Sequence, residues 1–487
     1  MDYPIITMIV FWPLVGALLL QLIPRDKVNI IRWSTLLITL IGLAMGLPLL
    51  SGFKVGQTAM QFAEKAPWIP GIGISYHVGL DGISLPLFML GLLLVVVTVL
   101  ASWSIKERVR EYFSLLLFLE VGMLGVFAAL DFVLFYIFWE LVLIPMYFII
   151  GIWGGRNRSY AAVKFFIYTL AGSALMLVGI LAIYFTSGLY TFDIVKLMEV
   201  GYNHQLATFV FLTFFIGFAV KVPMWPVHTW LPDAYVQAPT GGSIIMAGIL
   251  SKMGTYAFIR VIIQVLPGEF TRFAPYIAVL AVISIVYAAL TAIAQSDLKK
   301  LVAYSSVSHL GYIMLGIAAF TQVSLNGAVL QMVNHGLITG MLFLLVGYIY
   351  ERTQTNEISE LGGLSVKIPI LGGMFVFAAL ASLGLPGLSG FVGEILILLG
   401  SYSTYGLYTI IAVFGLALTA FYLIRANQYA IFGVPPATMG EFRDVNGREF
   451  ISILPLILLI VAVGVYPKPF LQYIDPAVNI VLQMIRG

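Results

Sequence analysis

Cysteine is absent from the 487 residues, which removes disulfides, thiolate metal sites, iron–sulfur ligation and a cysteine nucleophile from the chemistry open to this chain. Charge is scarce as well. Asp, Glu, Lys and Arg together make up 10% of the sequence, against about 25% in an average soluble domain. The net charge of +3 is small and its basic residues are scattered, so no nucleic-acid partner is expected. A phosphate-binding loop, a zincin helix, a nucleophile elbow and a dinucleotide fingerprint are also missing, and no redox chemistry is expected within the chain.

What fills the sequence instead is apolar: 61% of the residues are hydrophobic. Runs of about 20 such residues, each long enough to cross the hydrocarbon core, recur from one end to the other. They predict an all-α polytopic membrane protein forming one membrane domain over 1–487. Asp2, with no basic segment and no small-residue cleavage site before Pro24 and Arg25, makes the first run a retained helix.

Hydropathy places fourteen spans near 5–23, 30–50, 80–103, 112–130, 131–151, 162–186, 207–238, 240–264, 273–293, 300–319, 325–350, 368–401, 405–431 and 450–467. The seventh is interrupted by Pro223, Pro226 and Pro232, the twelfth by Gly384, Pro386, Gly387 and Gly390. Both are expected to be broken, because lipid does not tolerate the backbone groups that proline frees. Loops after odd-numbered helices hold fourteen Lys and Arg, against six in the even-numbered loops and the tail. The odd loops therefore face the cytoplasmic side and both termini the opposite side.

Two interrupted helices at matching places point to an internally repeated transporter fold. Ionisable residues within the spans follow the same offset. Glu140 and His309 are 169 residues apart, Lys164 and His335 171, Lys221 and Glu394 173, and Lys252 and Arg425 173. The expected organisation is three N-terminal helices over 1–111, a first five-helix repeat over 112–264, an inverted second repeat over 273–431, and helix 14 with its tail over 450–487.

Each ionisable group inside the bilayer costs at least about 2.5–3.5 kcal/mol on insertion scales, which makes it a functional candidate. Lys221 stands just before the break in helix 7, and Glu140 is mid-span in helix 5. If they meet, Glu140 holds the lysine charged, and separation lets desolvation release its proton. A static ion pair locking two helices is the plainer alternative. Lys252 has no acidic residue in its own helix and needs a partner from elsewhere. His309 and His335 suit a relay, since histidine titrates nearest neutrality. Glu394, after the break in helix 12, either passes protons on or counters Lys252 or Arg425. Glu120 either tunes Glu140 or serves helix packing, Lys164 snorkels to the interface, and His228 and Asp233 in the broken segment either cap a half-helix or carry protons.

The segments KVPMWPVHTWLPDAYVQAPTGGSIIMAGILSKMGTY, LKKLVAYSSVSHLGYIMLG and SLGLPGLSGFVGE resemble the antiporter-like membrane subunits of respiratory complex I. The resemblance runs from about residue 70 to 430. It implies fourteen helices, inverted repeats and proton translocation along a central polar axis. By motif, the glutamate–lysine pair falls on Glu140 and Lys221, the central lysine on Lys252, the connecting histidines on His309 and His335, and the terminal acid on Glu394. Glu120, Lys164, His228 and Arg425 are secondary candidates.

The resemblance further implies a bacterial inner membrane, surrounding lipid, and flanking L- and N-type antiporter-like chains. No cofactor is expected here, while FMN, iron–sulfur clusters and quinone belong to partner subunits. L- and N-type chains tend to carry lysine where Glu394 stands. A cation/proton antiporter subunit of an Mrp-type complex is the nearest alternative reading, and a purely structural subunit the other.

Overall fold

The computed structural model describes residues 3–57, 59–436 and 439–486; Asp2 and the side chain of Arg486 lie outside them. Helices α1 (Ile5–Gln21) and α2 (Val28–Gly52) lead into a hairpin of β1 (Gln61–Ile69) and β2 (Ile74–Leu80). Then come α3 (Ser84–Ala101), α4 (Val109–Ala128), α5 (Phe132–Leu141), α6 (Leu143–Trp153), α7 (Arg158–Thr186) and the single turn α8 (Ile194–Leu197). The middle of the chain holds α9 (His204–Lys221), α10 (Trp230–Gln237), α11 (Thr240–Ile245), α12 (Ser251–Ala257), α13 (Pro267–Ile293), α14 (Leu298–Ala319) and α15 (Gln322–Thr353). After the short α16 (Ile358–Leu361) and α17 (Leu364–Lys367) follow α18 (Pro369–Ser382), α19 (Ser389–Tyr402), α20 (Gly406–Ala426), α21 (Gly447–Val465) and α22 (Lys468–Arg486).

Among the described residues, twelve spans are long and apolar enough to cross a membrane, counting α5 with α6 and α11 with α12 as one each. The two remaining sequence-derived spans are the shorter ones. Helix α1 has 17 residues, and α18 and α19 are 14-residue pieces on either side of a break. Both expected breaks are present. At the first, the carbonyl of Val220 is freed and accepts from Trp230 Nε1 at 2.9 Å, while Ser284 of α13 accepts from the Trp225 amide at 3.0 Å. At the second, Gly384 and Gly387 take left-handed φ values of 81° and 94°, open to glycine without steric cost.

Three features lie outside the all-α expectation or beyond its detail. The hairpin on residues 61–80 is an addition to an otherwise helical chain: Pro70 and Gly73 shape its turn, and a Cβ at Gly73 would lie 2.1 Å from the Tyr190 carbonyl oxygen. Glu64 on β1 caps α1, accepting from the Ile6 amide at 2.7 Å, where the helix dipole favours an anion. The tail is a helix: α22 is amphipathic, with Ile474, Val478 and Val481 buried, and Asp475 accepting from Gln322 and Asn326 of α15 at 2.7 and 2.6 Å. Finally, α12 is flanked by π-helical turns at Met246–Leu250 and Phe258–Ile263.

The α11–α12 span, α14 and α15 are buried nearly all round, whereas α2, α20 and α21 expose most of their apolar surface. A helix apolar on every side and enclosed by others belongs to the core of a bundle. Lys252, His309 and His335 stand on those three enclosed helices.

Candidate functional site

Four of the six principal residues come together, three on the enclosed helices and Glu394 on α19. Lys252 is fully buried, and its ammonium donates to the carbonyl of Ala247 within the first π-helical turn. It also lies 2.5 Å from His335 Nδ1 on α15, which accepts when the lysine is charged. The proton of a neutral His335 then sits on Nε2, a buried atom without a partner among the described residues. The rings of His335 and His309 are 5.8 Å apart between centroids. A void with room for about one water molecule opens beside both rings.

Beyond the void, His309 Nδ1 is 2.8 Å from Glu394 Oε1 on α19, and its Nε2 is 3.2 Å from the Ser382 hydroxyl at the end of α18. Glu394 Oε1 also accepts from Gln331 at 3.2 Å, while its Oε2 is buried without a partner. The break between α18 and α19 makes this possible, because a Cβ at Gly384 would stand 3.2 Å from Oε2. Glu394 thus counters neither Lys252 nor Arg425. Arg425 lies apart, donating to the Ile293 carbonyl at 3.0 Å.

Lys221 and Glu140 are arranged differently. Lys221 is 3% exposed and its ammonium stands 5.3 Å from the centroid of the Trp139 ring, next in chain to Glu140. No ion pair within 4 Å joins Lys221 to Glu140 among the described residues, so the static locking contact is not present. At 4 Å and an effective dielectric near 20 two unit charges interact by about 4 kcal/mol, which sets a ceiling for this wider pair.

The secondary candidates fall into other roles. Lys164 does not snorkel freely: it pairs with Asp233 at 2.7 Å and binds α7 to α10 across the break. His228 is buried against Tyr287, with ring centroids 5.2 Å apart. Glu120 is wholly buried with both carboxylate oxygens unpartnered.

Sequence reading missed a second buried cluster. Arg260, 2% exposed, pairs with Asp81 at 2.5 Å, while its Nε donates to Tyr256 at 3.0 Å and its Nη1 to Gln264 Oε1 at 3.2 Å. On the same side, Asp193 takes ion pairs from Lys65 and from His77, the latter at 3.4 Å. Burial alone raises the Asp193 carboxyl; His77 and Lys65 outweigh it and hold the group well below the usual carboxylate range. Neighbouring Asp131 goes the other way, since burial outweighs its hydrogen bonds from Ser75, Val133 and Leu134. The i, i+4 spacing of Lys252, Tyr256, Arg260 and Gln264 was the available signal for this face.

Residues 129–419 match the family described as NADH:quinone oxidoreductase/Mrp antiporter, TM. NADH-quinone oxidoreductase subunit M of Rhodobacter capsulatus is 42% identical, covering 98% of this chain and 96% of its own. A chain of the solved respiratory complex I of Thermus thermophilus superposes with a TM-score of 0.91 at 32% identity, over 99% of this chain and 100% of that one. A chain of the Mrp complex from Dietzia sp. DQ12-45-1b shares the fold, with a TM-score of 0.86 at 20% identity over the whole of both. With a buried lysine–histidine–carboxylate line in a bundle of apolar helices and these likenesses over its full length, the chain belongs to the NADH-quinone oxidoreductase subunit M family.

Proposed function

We propose that this chain carries protons across a bacterial inner membrane as a membrane-arm subunit of respiratory NADH:quinone oxidoreductase, through Lys221, Lys252, His335, His309 and Glu394. The observation that carries the reading is the hydrogen-bonded line from Lys252 to His335 and from His309 to Glu394. It sits where burying charge is costly and packing alone would favour apolar residues. Lys221 takes a proton when Glu140 approaches and yields it when Glu140 withdraws. The proton moves through Lys252 and the two histidines, with water in the void bridging the rings, to Glu394.

Moving one charge against the membrane potential costs about 2.3 kcal/mol per 100 mV, and the free energy comes from quinone reduction in partner subunits carrying FMN and iron–sulfur clusters. L- and N-type chains flank this one. Counting α1 and the α18–α19 pair as spans brings the helices to fourteen, with 112–264 and 273–431 as inverted repeats and both termini periplasmic. The basic residues concentrated in the odd-numbered loops support that orientation.

The test is Lys221→Ala in the assembled complex, with assembly and quinone-coupled acidification of vesicles measured side by side. Retained assembly with lost acidification is expected. Lost assembly, or full acidification without Lys221, overturns the reading in favour of a scaffold.

A further inference from the structure

The even-loop face carries a cavity of about 280 Å³, walled by the hairpin, α8 and the amphipathic α22, with His77, Asp81, Arg260 and Gln264 as its polar lining. From it a row of side chains points inward. Gln264, Arg260, Tyr256 and Lys252 stand four residues apart on one span, and residues at that spacing share a helix face. The π-helical turn over Phe258–Ile263 is wider than an α-turn of about 3.6 residues and offsets the drift of a four-residue step. All four side chains are buried.

The bonds along this row are those of a closed end. Arg260 Nη1 donates to Gln264 Oε1 at 3.2 Å and Nε to the Tyr256 hydroxyl at 3.0 Å, while the guanidinium pairs with Asp81. The Tyr256 hydroxyl in turn donates to the Phe127 carbonyl at 3.1 Å. Asp81 Oδ1 accepts from the amides of Ile83 and Ser84 at 3.0 and 2.9 Å, which fixes the carboxylate to the start of α3. A proton travels along polar groups only where each can accept one as it gives one up. A guanidinium only donates, and it keeps its charge at any physiological pH. A proton arriving from the cavity therefore finds no lone pair at Arg260. Behind it, the Tyr256 oxygen is engaged by Nε and its own proton by Phe127. A fixed arginine charge also repels hydronium, which is how such a side chain excludes protons from a wet pore. Packing does not account for the pair, since apolar side chains of the same volume stabilise a core as well or better.

We infer that Arg260, anchored by Asp81, is a proton seal that insulates Lys252 from the cavity on the even-loop face. The inference rests on the reading of Lys252 as a proton carrier given above. Pumped protons accumulate on the even-loop side, and a conducting row there would return them to Lys252 and dissipate the gradient. Arg260 takes no part in the forward transfer; it sets the direction in which Lys252 exchanges protons.

The test places Arg260→Gln in the assembled complex in sealed vesicles. Passive proton flux is measured down a pH gradient imposed from the even-loop side, without NADH or quinone and with potassium and valinomycin clamping the potential. Protons pumped per NADH oxidised are measured alongside. Glutamine both donates and accepts. It is expected to raise the passive flux at least about tenfold, short of the roughly 100-fold that a positioned proton-transfer group contributes, and to lower the pumped yield while NADH oxidation continues. Adding Lys252→Met to Arg260→Gln should return the flux to the parent level, which a merely loosened bundle would not do. Unchanged flux in Arg260→Gln, or a leak that persists without Lys252, overturns the seal. Should Arg260→Gln fail to assemble, Arg260→Gln with Asp81→Asn, which leaves no lone buried carboxylate, decides by the same criteria; failure of both to assemble overturns the seal in favour of a folding contact. Pumping that survives Lys252→Met alone overturns the preceding reading instead, whatever the passive flux.

Discussion

Lys221 and Lys252 are both buried lysines, 31 residues apart in the chain, but their surroundings differ in kind. Lys221 faces the ring of Trp139, and no ion pair within 4 Å joins it to Glu140 among the described residues. Lys252 is bound to a backbone carbonyl and to His335, the first member of a line ending at Glu394. A charge held across a gap responds to small movements of its partner, because the interaction changes with distance while no hydrogen bond must break. The hydrogen-bonded pairs Lys252–His335 and His309–Glu394 respond little to small movements and leave one gap, between the two rings, for a water to bridge. The first arrangement suits a switch and the second a wire.

That contrast is broken most severely by cutting the wire at its start. Lys252→Met should lower quinone-coupled proton transfer roughly 100-fold, the low end of what a positioned proton-transfer group contributes; acidification traces from vesicles check it. Next in size is the coupling within each pair. A double-mutant cycle on His309→Gln and Glu394→Gln should give an interaction of about 1–3 kcal/mol in the pumping rate, as expected for residues in contact. The same cycle on Glu140→Gln and Lys221→Ala should give less, and equal couplings would erase the distinction between switch and wire.

A smaller effect is expected at the break that admits Glu394. Gly384→Ala puts a Cβ 3.2 Å from Glu394 Oε2 at a φ of 81°, costing roughly 1 kcal/mol of strain and slowing pumping more than it affects assembly. The smallest concerns neither station. Asp193, far from both, keeps its charge through His77 and Lys65. Because its folded-state carboxyl titrates below that of the unfolded chain, the stabilisation is fully present above about pH 4. It is lost only as the pH falls through the depressed folded value. Lys65→Met with His77→Gln should move that loss toward neutral pH, seen as earlier proteolytic cleavage of the hairpin on acidification.

Much of this was legible in the sequence, for reasons that hold for any chain in lipid. The spans follow from the length of apolar runs, the breaks from proline and glycine in two of them, and the identity of Glu140, Lys221, Lys252, His309, His335 and Glu394 as special from the cost of burying each. The hairpin was missed because residues 61–80 carry no strict alternation, and α22 because an amphipathic helix on a surface has a modest mean hydropathy. The π-helical turns around Lys252 left no mark, since no proline or glycine pair is peculiar to them in the sequence.

The sequence by itself determined that the chain crosses the membrane many times, where it is broken, and which side chains are costly to bury within the spans; these depend on local composition and on the cost of moving one group out of water. Only the tertiary structure decided that Lys252 meets His335 while Lys221 and Glu140 stand apart, that Glu394 is held by His309, that Lys164 is taken by Asp233, and that Arg260 pairs with Asp81. Each of those contacts joins helices far apart in the chain, and their rotation and depth are set by packing against neighbours.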